Sequence, residues 1–214
     1  MSVTPSTLLK KVEATCQELE KEFSLIATAR KRLLFRLSEY LQSKYQNKET
    51  PKIIVICTHN SRRSHLGQLW LSVGADYYGL PEIATFSGGT EATAFNSRAV
   101  NALKKLGFDI TSEAYKTPTN PIYDITWQER GNPYMAFSKK YDSFPNPSSN
   151  FGAIMVCTSA DVGCPIISGA DFRLALPFDD PKAFDDTPLE SAKYMERSLD
   201  IGREMLFVLS QVQI

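Results

Sequence analysis

Cys57 and Arg63 stand six positions apart in the segment Val55-Ile56-Cys57-Thr58-His59-Asn60-Ser61-Arg62-Arg63-Ser64. A loop of that length can curl until both ends meet one guest. Arg63 can then grip two oxygens of a tetrahedral oxyanion while the sulfur of Cys57 faces the central atom. The apolar run Ile53, Ile54, Val55, Ile56 reads as a buried strand before the loop, and Leu66, Leu69, Trp70 and Val73 give a helical pattern after it. Free N–H groups between a strand end and a helix start favour an anion. The same positive surroundings favour the thiolate, the form of sulfur that attacks. Cys57 is therefore the expected nucleophile, and Thr58, His59, Asn60, Ser61, Arg62, Arg63 and Ser64 are the expected oxyanion-binding residues. The bland alternative is a structural turn with a buried cysteine.

Attack by Cys57 requires a proton donor for the oxygen that leaves. Asp180, held before Pro181 in a stiff turn, is the candidate general acid, with Asp179 as its neighbour. Both also suit an ordinary turn. Cys157 and Cys164 are seven apart, the second between Gly163 and Pro165. They can form a relay: Cys157 attacks a Cys57 adduct, and Cys164 then attacks the resulting disulfide by thiol exchange. The alternative is two ordinary core cysteines, the reading that also suits Cys16. A zinc ribbon at Cys157 and Cys164 would need further, closer pairs, and the chain has only two histidines. A metal site of Cys57, His59 and His65 is the weaker choice, since His59 is expected to shape the loop and His65 falls in the first helical turn. No cofactor or metal is expected.

These residues need elements to position them. Residues 1–50 read as a helical arm, with Thr4 as cap and Pro5 at the first helical position. Leu8, Leu9, Val12, Cys16 and Leu19 fall at helical spacing. The pattern restarts through Leu25, Ile26, Ala29, Leu33, Leu37 and Leu41, with Ser24 as a candidate cap. An apolar stripe packed on the main domain is favoured over a homodimerisation arm. Residues 51–214 form the main domain. Strand and helix alternate from Cys57 through the helix over Val100, Leu103 and Leu106, which predicts a parallel sheet covered on both faces. Residues 111–150, rich in proline, asparagine and aromatics, interrupt it as an insertion that either packs on a neighbouring surface or walls the site. Phe151 to Val156 and Phe172 to Leu176 resume as strands, and a last helix after Pro188 carries Met195, Leu199, Gly202, Met205 and Leu206 on its apolar side. Ligands in such sheets sit beyond the carboxyl ends of the strands, where Cys57, Cys157 and Asp180 all fall.

At 214 residues with 43% hydrophobic content, the chain can build one full core. Its zero formal charge argues against nucleic acid as a main partner. No apolar run is long enough to span a bilayer. Met1-Ser2-Val3-Thr4-Pro5 lacks the apolar core of a signal peptide, so a cytoplasmic protein with reduced thiols is expected.

The Cys57–Ser64 loop, the Cys157 to Cys164-Pro165 segment and Phe178-Asp179-Asp180-Pro181 together resemble the low-molecular-weight protein tyrosine phosphatase fold family, and most of all its thioredoxin-coupled arsenate reductases. The resemblance covers residues 52–112 and 151–210. It implies a four-stranded parallel sheet flanked by helices, Cys57 as nucleophile, Arg63 as oxyanion clamp and Asp180 as general acid. Asn60 would hold the loop's shape and Ser64 would hydrogen-bond the thiolate. In the reductase branch it implies arsenate as substrate, arsenite displaced by Cys157, and a disulfide closed by Cys164 for a thioredoxin-like reductant. In the phosphatase branch a phosphocysteine is hydrolysed and no cysteine pair is required. Arg62 departs from the family pattern, standing where a second loop cysteine is usual, and His59 stands where a glycine is usual. The arm and the insertion have no counterpart in the smallest members. The cysteine pair favours arsenate reduction, as does Lys182-Ala183 in place of tyrosines after Asp180-Pro181. Phosphotyrosine hydrolysis is the alternative, and a non-catalytic phospho-ligand module is the third.

Overall fold

The structure is a computed structural model that describes residues 7–112, 117–163 and 166–213. The expected cap at Thr4 and Pro5, and the second relay cysteine, Cys164, lie outside the described residues. In chain order the helices and strands are α1 (Lys10–Lys21), α2 (Thr28–Gln46), β1 (Lys52–Cys57), α3 (Arg63–Tyr77), β2 (Ala84–Gly89), α4 (Ser97–Lys105), β3 (Asp109–Ser112), β4 (Tyr123–Thr126), β5 (Tyr134–Ala136), β6 (Phe151–Met155), α5 (Thr158–Gly163), β7 (Ala170–Ala175) and α6 (Glu190–Ser210).

A four-stranded parallel sheet in the order β2-β1-β6-β7, with helices on both faces, forms the centre of the molecule. β1 and β6 lie inside it, which is why both read as unbroken apolar runs rather than alternating ones. α3 leaves the end of β1 and is itself almost wholly buried, pressed between the sheet and α6. Its Trp70 meets Phe108 edge-on at 5.5 Å and donates its indole N–H to Ser198 Oγ at 3.1 Å, so the one polar atom of that buried ring is satisfied.

The N-terminal helices share this core. Val12, Cys16 and Leu19 of α1 and Leu34, Leu37 and Leu41 of α2 are buried in the same cluster as the sheet residues. Each leucine so buried contributes roughly 1.5–3 kcal/mol. Polar contacts fix the register of α2 on α6: Ser38 Oγ donates to the Val208 carbonyl at 2.8 Å, and Arg30 Nε reaches both carboxylate oxygens of Glu204 at 2.9 Å. Ser24 does not cap α2. It sits in a 3₁₀ turn, Phe23–Leu25, and α2 begins at Thr28 behind Ala27, whose side chain offers no cap. Turning Ile26 into the core decides the path of the chain there.

A second, antiparallel sheet in the order β3-β4-β5 begins two residues before the insertion and continues into it. Its strands are three or four residues long and each buries one side chain, Ile110, Ile125 or Ala136. Alternation over so few residues leaves no readable period. The insertion packs against its neighbours. Trp127 Nε1 donates to Asp76 Oδ2 at 2.6 Å, and the Trp127 carbonyl accepts the Leu9 N–H at 2.9 Å. On α6 the buried stripe runs through Tyr194, Ser198, Ile201, Gly202, Met205 and Leu206, while the expected Met195 and Leu199 are half-buried beside it. No helix among the described residues is long and apolar enough to cross a membrane.

Candidate oxyanion site

The loop after β1 is shaped by its carbonyl groups. Five consecutive carbonyls are taken by neighbours. Cys57 O accepts the Thr90 N–H at 3.2 Å, and Thr58 O the Glu91 N–H at 2.8 Å. His59 O accepts the hydroxyls of Thr93 at 3.1 Å and Ser138 at 3.0 Å. Asn60 O meets His65 Nε2 at 3.0 Å, and Ser61 O accepts the Asn96 N–H at 2.8 Å. In a trans peptide the next N–H points opposite its carbonyl, so the N–H groups of Thr58, His59, Asn60, Ser61 and Arg62 are aimed to the inside of the loop. None of them donates to a protein acceptor among the described residues. A row of amides turned to one spot suits an anion.

Two residues make the curl feasible. Asn60 has φ +45°, a left-handed conformation that asparagine tolerates better than most side chains. Its buried side chain donates to Ser64 Oγ at 2.9 Å and accepts the Lys139 N–H at 2.8 Å. Gly89, at the end of β2, lets the loop pass close by: a Cβ there would lie 2.7 Å from both Asn60 N and Thr58 O.

Cys57 is 4% exposed and its Sγ lies 3.1 Å from Ser64 Oγ. At the other end of the loop, Arg63 donates from Nη1 to the Phe178 carbonyl and from Nη2 to Asp180 Oδ2, both at 2.7 Å. The acid candidate therefore lies on the clamp candidate. Asp180 also accepts the Lys182 N–H through Oδ1 at 3.0 Å, which fixes its rotamer. Asp179 is 96% exposed and points to Arg197 at 3.5 Å, away from the loop. His59 is half exposed, 3.7 Å from Glu91. His65 is fully buried, stacked on Phe95 at 3.9 Å, with Nδ1 on Ser87 Oγ at 3.2 Å. Burial, and secondarily the charge of Lys139, push its pKa down to about 3. Both ring nitrogens of His65 are engaged by protein oxygens, and no group of three or more potential metal ligands occurs among the described residues.

Cys157 lies two residues past the end of the neighbouring strand β6, and its sulfur reaches the loop: Thr58 Oγ1 is 3.4 Å away, Ser159 Oγ 3.6 Å, and the Ala160 N–H donates to it at 3.4 Å. Burial pushes this thiol up, but the hydrogen bonds from Thr58, Ser159 and the Ala160 N–H, with the charge of Arg63, outweigh it and hold the thiol below its ordinary value. Cys16 is the contrast. Burial and the nearby Glu20 and Glu13 push its thiol up to about 12, which suits a packing role.

Sequence reasoning expected the Arg62 side chain on the oxyanion and overlooked Tyr194, Asp185, Ser138, Lys139 and Ser159. Arg62 turns toward α6 and donates from Nε to the Tyr194 hydroxyl at 2.7 Å, and that hydroxyl donates to Asp185 Oδ1 at 2.7 Å. Ser138 and Lys139 of the insertion hold the loop from behind. Ser159 binds Thr58 at 2.9 Å. Only Tyr194 left a trace, as the first member of a helical series through Ser198 and Ile201.

A buried thiol and a guanidinium at the two ends of a strand-to-helix loop, set on a parallel four-stranded sheet, define the class: an α/β protein with a cysteine–arginine loop at the carboxyl end of its sheet. No family model matches the chain. It is 30% identical over 136 residues to an arsenate reductase of Brevibacillus brevis, which covers 64% of this chain and 79% of that protein. It is 28% identical over 158 residues to an arsenate reductase of Bacillus subtilis, covering 73% of this chain and 94% of that one. Among solved structures, a low molecular weight phosphotyrosine phosphatase from Vibrio cholerae O395 superposes with a TM-score of 0.51 at 14% identity, covering 75% and 95% of the two chains. A mutant of YwlE from Bacillus subtilis does so with a TM-score of 0.52 at 15% identity, covering 76% and 98%. The chain belongs to the arsenate reductase family, whose fold it shares with the low-molecular-weight phosphotyrosine phosphatases, and both are enzymes.

Proposed function

We propose that this protein reduces arsenate through a cysteine relay. The observation that carries it is the position of Cys157: its sulfur lies 3.4 Å from Thr58 of the oxyanion loop, and its thiol is held below the ordinary value. Arsenate sits in the amide cradle with two oxygens on Arg63. The Cys57 thiolate attacks arsenic, and one oxygen leaves as water with a proton supplied by Asp180. The Cys157 thiolate then attacks the Cys57 sulfur. An S–S bond forms, the S–As bond breaks, and its electron pair passes to arsenic, which leaves as arsenite. Cys164 attacks Cys157 in turn, releasing Cys57 as thiolate and leaving a Cys157–Cys164 disulfide. A thioredoxin-like dithiol reduces that disulfide.

Hydrolysis of phosphate monoesters is the second reading, and the 2.7 Å contact between Arg63 and Asp180 favours it as much as the first. Clamp, nucleophile and acid are common to both, and water takes the place of Cys157 in resolving the adduct. Arsenate turnover with thioredoxin and p-nitrophenyl phosphate hydrolysis, measured on the wild type, Cys157→Ser and Cys164→Ser, decide between them. Relay chemistry predicts that both variants lose arsenate turnover by at least a hundredfold and keep ester hydrolysis. Strong hydrolysis with arsenate turnover untouched by either substitution would leave the phosphatase reading standing.

A further inference from the structure

Segment 178–185, which carries Asp180, is held at both ends by adjacent residues of the oxyanion loop. At its start, Arg63 takes the Phe178 carbonyl and the Asp180 carboxylate. At its end, Arg62 reaches Asp185 twice. Its Nη2 lies 3.4 Å from Asp185 Oδ2, and its Nε binds the Tyr194 hydroxyl, which donates to Asp185 Oδ1 at 2.7 Å. Tyr194 is 1% exposed and Asp185 is 19% exposed, so this second arm is shielded from water and rigid. Arg98 adds a weaker contact, 3.7 Å from Asp185.

The two arms face different demands. Two of the five N–H donors of Arg63 hold the acid segment and the others must serve an arriving oxyanion, so one guanidinium is shared between two tasks. Arg62 has no such duty, because its guanidinium is occupied by Tyr194 and Asp185 on the α6 side. A general acid contributes only while it stays within hydrogen-bond reach of the departing oxygen. The Lys182 N–H sets the Asp180 rotamer, and a second anchor besides the shared Arg63 steadies the backbone that carries it.

From this we infer that Arg62, with Tyr194 and Asp185, is a positioning device that keeps Asp180 in place while Arg63 is shared with the oxyanion. It rests on the proposed Cys57 chemistry and extends it to a residue that touches no reacting atom. The pairing also accounts for an arginine at position 62. Lysine there could reach one partner but not span both, since a single ammonium lacks the planar fork.

The test separates leaving-group protonation from binding, in the full chain. Phenyl phosphate leaves as a strongly basic phenolate and depends on the acid. 2,4-Dinitrophenyl phosphate leaves unaided. For Arg62→Lys and for Tyr194→Phe, kcat/KM on phenyl phosphate is expected to fall about tenfold, a fraction of what a general acid supplies. On 2,4-dinitrophenyl phosphate it should change less than twofold, and inhibition by inorganic phosphate should also hold within twofold. In an Asp180→Asn background, Arg62→Lys should cost less than a further twofold on phenyl phosphate, because the residue it positions is gone. Equal losses on both esters, weakened phosphate binding, or a full tenfold loss without Asp180 would each overturn the assignment and make Arg62 a structural loop residue. If the wild type consumes arsenate but neither ester, the same split is read on arsenate. The single-turnover rate should fall about tenfold while phosphate binding holds, and parallel losses overturn the assignment. A wild type in which Cys57→Ser changes no turnover at all removes the underlying chemistry and this assignment with it. That outcome is distinct from an active enzyme indifferent to residue 62.

Discussion

Replacing Asn60 tests how the oxyanion loop is held. Its side chain makes two hydrogen bonds at a fully buried position, to Ser64 Oγ and from the Lys139 N–H, and its backbone sits at φ +45°. In Asn60→Ala the Lys139 N–H is left buried without an acceptor, at about 1–3 kcal/mol. Ser64 loses one donor but keeps Cys57 at 3.1 Å, a loss of about 1 kcal/mol. Alanine in the left-handed region adds roughly 1–2 kcal/mol. The expected destabilisation is about 3–6 kcal/mol, read as a lower urea midpoint at unchanged slope. Asn60→Gly loses the same two bonds without the backbone strain, though glycine gives back about 0.5–1 kcal/mol through the freer unfolded chain. The glycine variant should therefore be the more stable of the two, by about 0.5–1 kcal/mol. An alanine variant that loses less than about 1 kcal/mol, or a glycine variant less stable than the alanine one, would refute the account of how the loop is locked.

Three further outcomes are expected. His65 is neutral in the fold because burial holds its pKa near 3 against an ordinary 6.5. Below pH 6.5 the unfolded chain binds a proton that the folded chain does not, so stability falls as pH drops from 6.5 toward 3. His65→Gln should lose less between pH 7 and 5 in urea midpoints than the wild type does, and an identical loss would refute the assignment. Leu37→Ala, in α2 at 0% exposure, should cost about 2–5 kcal/mol and leave one unfolding transition, because the helix shares the central core. A separate early loss of helix signal would mean the arm folds alone. Thr58→Val, in a Cys57→Ser, Cys164→Ser background where Cys16 stays silent near pKa 12, should raise the Cys157 titration seen in thiolate ultraviolet absorbance. The expected rise is about one pH unit, the worth of one hydrogen bond, and an unchanged titration would remove Thr58 as a support of that thiolate.

The chemistry-bearing residues were legible where local rules decide. An apolar run, then a polar loop with Cys57 and Arg63 at its ends, then a helical pattern is a strand–loop–helix on any reading, and parallel topology carries the ends of β1, β6 and β7 to one edge. That also brought Asp180 to Arg63. The strands of the insertion were hidden because each is too short to show a period. The start of α2 was misplaced because burial of Ile26 outweighs the capping preference of Ser24.

What the amino-acid order determined by itself is where Cys57, Arg63, Cys157 and Asp180 fall along the chain and the sheet edge on which these four gather, since both follow from patterns within a few residues. Only the tertiary structure decided which way each group turns. Arg62 and Arg63 are neighbours with the same side chain, yet one is bound to Tyr194 and Asp185 and the other to Asp180. The outward-held carbonyls of the loop depend on Thr90, Thr93, Asn96 and Ser138, some nearly eighty positions away. Hydrogen-bond direction is set by partners that sequence separation does not reveal.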